Sequence, residues 1–187
     1  IVPSCPDEAE ELMYQAIKLF EADRSAGKDG ESYIFFVGRE NYPHSWVKNP
    51  SYQWGKAQVL QEGGEIVLVG SGVLLNRVIE AGEQLAQEGV KATVINNPFV
   101  NHLDIETLGE AVKAASGRLV TIEDHQVIGG MGAQLSHGLS NAGISHSIKT
   151  LGITGEFGQS AYKADQLYDK FGLNVAGVVS AAKELLG

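Results

Sequence analysis

From Lys56 to the end, short apolar runs alternate with helical stretches, a rhythm that few architectures accept. Ala57-Gln58-Val59-Leu60, a Glu-Gly-Gly-Glu turn and Ile66-Val67-Leu68-Val69 read as two strands in a hairpin-like connection. A helix over 73–88, a strand over 91–96, a helix over 104–115 and a strand over 118–122 follow. A helix over 130–142, a strand over 146–151 and a helical region over 160–186, broken near Gly172, complete the series. Strands separated by helices of about 10–15 residues build βαβ units, whose sheet is mainly parallel and covered on both faces. The spacing therefore predicts a three-layer α/β/α domain with a mostly parallel five-stranded sheet. The first strand, reached through a tight turn, belongs at an edge and antiparallel.

The preceding residues keep a different rhythm. Asp7, Glu8, Glu10 and Glu11 load the start of a helix over 6–24, where the helix dipole favours negative charge. Leu12, Ala16, Leu19 and Phe20 recur in it at helical spacing. Tyr33-Ile34-Phe35-Phe36-Val37 reads as a buried strand ending at Gly38-Arg39. From Glu40 to Gly55, prolines, asparagines and aromatics follow one another without a period, as in a linker at a domain boundary. Three parts are expected: 1–42 as the end of one domain, 43–55 as a linker, and 56–187 as a second domain. The opening Ile-Val-Pro reads as the tail of a strand, so the chain is expected to begin within a larger protein.

A formal charge of −9 and a pI near 5.0 argue against nucleic-acid binding, which needs a basic surface to displace counterions. A local Arg can still hold a small anion. Cys5 is the single cysteine, which excludes an internal disulfide and fits a reducing compartment. No apolar run approaches the roughly 20 residues of a membrane span, and no signal-like segment opens the chain. A cytoplasmic protein without membrane partners is expected.

Three motifs could carry chemistry. Gly70-Ser71-Gly72 joins a strand to a helix, but the third glycine of a dinucleotide fingerprint is missing; a tight turn accounts for the glycines. Phe157-Gly158-Gln159-Ser160 precedes the last helices, with Ser160 as an N-cap. The densest cluster is Glu123-Asp124-His125, followed by Gly129-Gly130-Met131-Gly132. It lies after a strand and before a helix, where open α/β sheets place ligands. A carboxylate pair beside an imidazole can orient a general base, or the same groups can simply fix the loop. The residues alone leave both readings open.

Together these segments resemble the C-terminal domain of the transketolase family. The likeness is carried by Gly55-Lys56-Ala57, Leu68-Val69-Gly70-Ser71-Gly72, Leu103-Asp104, Val120-Thr121-Ile122-Glu123-Asp124-His125 with Gly129-Gly130-Met131-Gly132, and Phe157-Gly158-Gln159-Ser160 before Phe171-Gly172-Leu173. Residues 1–42 resemble the end of that family's pyrimidine-binding domain. Gly38-Arg39-Glu40-Asn41-Tyr42-Pro43 is similar to its segment that binds a sugar phosphate, which implies that Arg39 binds the substrate phosphate. Asn101-His102 and Ala161 depart from the family's common residues.

The resemblance implies transfer of a two-carbon ketol unit between sugar phosphates, with thiamine diphosphate and Mg²⁺ or Ca²⁺ in the complete enzyme. It also implies partnership with the thiamine-binding domains of the same enzyme or of a partner subunit, within a homodimer. The diphosphate-binding domain is expected upstream of Ile1, so this chain alone is expected to bind no cofactor or metal and to be inactive. In the family this domain supplies no catalytic group, which inclines Glu123, Asp124 and His125 towards a structural loop. The same architecture serves the β component of a 2-oxo-acid dehydrogenase and deoxyxylulose-phosphate synthase. A non-catalytic regulatory or interaction module is a further alternative.

Overall fold

The computed structural model describes residues 1–38, 42–48 and 50–187. Helix α1 (Pro6–Ser25) comes first, with Pro6 in its first turn, where a missing N–H costs nothing. Strands β1 (Gln58–Gln61), β2 (Ile66–Gly70), β3 (Ala92–Asn96), β4 (Arg118–Gln126) and β5 (Ser147–Ile153) form one sheet in the order β1-β3-β2-β4-β5. Four strands run parallel, and β1 lies antiparallel at the edge. Helices α2 (Leu75–Gln87), α3 (Ile105–Ala114), α4 (Met131–Asn141), α5 (Ala164–Lys170) and α6 (Val175–Leu186) complete the chain.

All of β2 is buried, and its side chains divide by the period of two that a pleated strand imposes. Ile66 and Leu68 join Val94, Val120 and Ile122 in a core closed by Val78, Ala81 and Leu85 of α2 and Val178 and Ala182 of α6. Val67 and Val69 join Ile95 and Leu119 in a second core, closed by Leu108 and Val112 of α3 and Leu135 and Leu139 of α4. Helices thus cover both faces, giving the three layers that the spacing predicts.

Several details differ from the sequence reading. β1 pairs with β3, not with β2 as the tight turn suggests. Gly64 and Glu65 both donate to the Lys91 carbonyl at 3.0 Å, so the turn lies across the start of β3. β2 is flanked by β3 and β4, leaving the outer edge of β3 for β1. Tyr33–Val37 is not a buried strand: Ile34, Phe36 and Val37 are 65%, 62% and 60% exposed. A strand needs a bonded neighbour along its length, and the backbone bonds of this segment to described residues run to Ile1. The Ile1 amino group donates to Ile34 O at 2.8 Å, and Phe36 N donates to Ile1 O at 2.9 Å. On α1, Leu12 and Ala16 are buried, but Leu19 and Phe20 face outward. Ser160 is not an N-cap; α5 starts four residues later, behind Lys163. The Gln166 side chain accepts from Tyr162 N and Lys163 N, which sets the start of α5 there.

Gly132, in the first turn of α4, lets the helix approach the sheet closely. A Cβ at this position would lie 2.5 Å from Thr121 Oγ1 and 2.6 Å from Thr150 Oγ1, on the neighbouring strands β4 and β5. Gly132→Ala is expected to destabilise the chain by roughly 1–3 kcal/mol, as overpacking does. Urea denaturation checks this, and an unchanged midpoint would show that the strands yield.

Candidate functional site

β2 leads into α2 on one face of the sheet, while its neighbour β4 leads into α4 on the other. The two exits therefore diverge and leave a crevice at the carboxyl ends of the strands, the place where open α/β sheets bind ligands. A cavity of about 430 Å³ occupies it. Ser71 lines it from the β2 exit, Glu123, Asp124 and His125 from β4, and Gln134 from α4. Phe36, Val37 and Gly38 form part of its wall. Gly72 holds φ +54°, and a Cβ there would meet Val2 Cγ1 at 2.6 Å, so the turn itself requires this glycine.

Glu123, Asp124 and His125 are not a loop. They form the end of β4, where its pairing with β5 shifts register between Ile122 and Gln126. This irregularity sends the three side chains to different partners. Glu123 is 3% exposed, and its carboxylate accepts from Met131 N at 2.6 Å and from Gly132 N at 3.0 Å. These N–H groups belong to the first turn of α4, which has no acceptor within its own helix. Burial raises the Glu123 pKa above the ordinary carboxylate range, against the opposing pull of the two N–H bonds. Asp124 is exposed and accepts from the Tyr168 hydroxyl at 2.9 Å. His125 is also exposed, with Nδ1 3.0 Å from Gln126 O. The cluster is therefore one buried helix cap and two surface groups.

Arg39 lies outside the described residues; Gly38, just before it, lines the crevice. The sequence reading missed a second buried carboxylate, Glu8, which is 1% exposed. One of its oxygens accepts from Ser4 N and Ser4 Oγ at 2.7 Å each, and the other from Asn96 Nδ2 at 2.6 Å. Burial raises its pKa, against these hydrogen bonds. The one hint in the sequence is the polar pair Asn96-Asn97 ending an apolar strand, both of them fully buried.

The sheet is doubly wound with a crevice at its switch point, and the buried carboxylate of that crevice caps a helix. The chain belongs to the transketolase C-terminal domain family, whose model ("Transketolase, C-terminal domain") matches residues 55–178. It is 36% identical over 132 residues to a 1-deoxy-D-xylulose-5-phosphate synthase of Desulfitobacterium hafniense, covering 70% of this chain and 20% of that one. It is 33% identical over 158 residues to a 6-deoxy-6-sulfo-D-fructose transketolase subunit of a Clostridium species, covering 84% of this chain and 48% of that one. A solved structure described as "Split gene transketolase, inactive beta4 tetramer" superposes with a TM-score of 0.78 at 28% identity, covering 99% of this chain and 56% of that one. The chain thus spans between a fifth and about half of the length of these relatives.

The family depends on thiamine diphosphate. A divalent cation bound to its diphosphate needs several oxygen ligands. Among the described residues no three His, Cys, Asp or Glu side chains gather to hold a metal, and both oxygens of Glu123 are engaged by the backbone. The described residues of the crevice do not fit that group. Nor is any helix among the described residues long and apolar enough to cross a membrane.

Proposed function

We propose that this chain is the C-terminal part of a thiamine-diphosphate-dependent transketolase that moves a two-carbon ketol unit between sugar phosphates. Its own domain, from Lys56 onward, supports assembly and contributes no catalytic group. The observation that supports this reading is the engagement of Glu123: its buried carboxylate serves as the cap of α4, each oxygen accepting from an N–H of the helix start. Residues 1–42 are the end of the pyrimidine-binding domain and residues 43–55 the linker. The outward apolar side chains of α1, among them Tyr14, Ile17 and Phe20, suit cover by the thiamine-binding domains of the same enzyme or a partner subunit. A homodimer in the cytoplasm, with Mg²⁺ or Ca²⁺ bound outside this domain, completes the proposal.

In this reading Arg39 binds the substrate phosphate, a task suited to the paired donors of a guanidinium. Phosphate contacts anchor a part of the substrate remote from the reacting carbon, so their loss mainly weakens binding. In the intact enzyme, Arg39→Gln is expected to raise KM for phosphorylated sugars about tenfold or more, the scale of a lost charge-assisted bond. Unphosphorylated donors should be nearly unaffected, and equal losses for both would remove Arg39 from the site.

A second reading, synthesis of 1-deoxy-D-xylulose 5-phosphate, is favoured by the name of the Desulfitobacterium relative. Assaying the intact enzyme separates the two. Ketol transfer from a ketose phosphate to an aldose phosphate supports the first; formation of the deoxy sugar with no such transfer supports the second.

A further inference from the structure

Beside the crevice, a separate cavity of about 500 Å³ lies between the linker, the start of α2 and α5. Trp46, Asn76, Arg77, Lys163, Asp165 and Tyr168 contribute to its wall. Arg77 gives Nη2 to Asp165 Oδ1 at 2.6 Å, while its Nε is buried and has no acceptor. On the adjacent residue, Asn76 Oδ1 is buried and has no donor. Orphaned polar atoms on two consecutive residues demand an explanation, because buried polar groups are nearly always paired.

The geometry of the guanidinium supplies one. Nε and Nη2 form a single edge, with two parallel donors at the spacing of two oxygens of one oxyanion. Asp165 engages only half of that edge. Its side chain is 67% exposed against 21% for Arg77, so the pair has the small stability of a surface salt bridge and exchanges readily. Lys163 brings a second cation, and its ammonium joins no ion pair among the described residues. Two cations against the one carboxylate of Asp165 leave this wall net positive in a chain of net charge −9.

We propose that this cavity binds a small phosphate-type oxyanion. The Nε–Nη2 edge of Arg77 takes two of its oxygens, Lys163 neutralises its remaining charge, and Asp165 is the group it displaces. The proposal does not rest on the ketol-transfer reading.

Calorimetric titration of the full chain with inorganic phosphate, at constant ionic strength, tests the proposal. Saturable binding is expected, weakened about tenfold or more in Arg77→Gln by loss of a bidentate charged contact. Asp165→Asn removes the internal competitor and is expected to tighten binding severalfold. This exposed substitution keeps the test decisive even if Arg77→Gln disturbs folding. Absence of saturable binding to the wild type at millimolar phosphate overturns the proposal. So does unchanged affinity in Arg77→Gln, or weaker binding in Asp165→Asn.

Discussion

Glu123→Ala is expected to destabilise the chain by roughly 2–5 kcal/mol, because it leaves two buried backbone N–H groups without an acceptor. Met131 and Gly132 open α4, and the carboxylate eight residues before that helix is the cap its own first turn lacks. Negative charge at this end also complements the helix dipole. Glu123→Gln keeps one acceptor oxygen and turns an amide N–H₂ towards the other donor, so its cost should fall between wild type and Ala. Denaturant melts of the three chains give the ranking. A Glu123→Ala midpoint equal to wild type would mean that water replaces the carboxylate freely, and the residue would return to the candidates for chemistry. If the residue is structural, the substitution should also lower the melting temperature of the intact enzyme before it lowers turnover at moderate temperature.

What the sequence could disclose here depended on how far each cause lies along the chain. The layers were legible because they follow from local period: Ile66 to Val69 must alternate between faces, and both faces are apolar. The partner of β1 was not legible. The turn at 62–65 looks the same whether the chain folds back on β2 or crosses to β3, and the deciding bonds come from Lys91. Tyr33–Val37 has the composition of a buried strand, but composition cannot supply the neighbour that would bury it. The Glu123 cluster was visible as a run of polar residues at a strand exit, yet its division into one cap and two surface groups depends on a register shift between strands. In the sequence Glu8 is one acid among four at a helix start. Its role is set by Asn96, which is 88 positions away.

That distant bond makes Glu8 the subject of the second large effect. Glu8 fastens α1 and the Ser4 turn to the end of β3, so Glu8→Ala strips acceptors from Ser4 N, Ser4 Oγ and Asn96 Nδ2 together. A loss of roughly 2–5 kcal/mol is expected from unpairing buried donors. Glu8→Gln should behave differently. Its amide oxygen can accept from both groups of Ser4, and its amide nitrogen can donate to Asn96 Oδ1, which is buried and has no partner at present. This needs only a turn of the Asn96 amide, exchanging one orphaned atom for another, so Gln should hold stability close to wild type at neutral pH. The pH dependence carries the same argument. Burial raises the Glu8 pKa, so above the ordinary carboxylate value of about 4.3 the folded chain keeps a proton that the unfolded chain has released. The resulting stabilisation is full below that value and is lost as pH rises through the folded pKa. Glu8→Gln removes this contribution, and its stability should fall less steeply than wild type as pH rises across that window. Urea midpoints measured from mildly acidic to neutral pH provide the check. If Gln proves as damaging as Ala at neutral pH, the joint needs an ionised carboxylate, and the raised pKa cannot describe the folded protein.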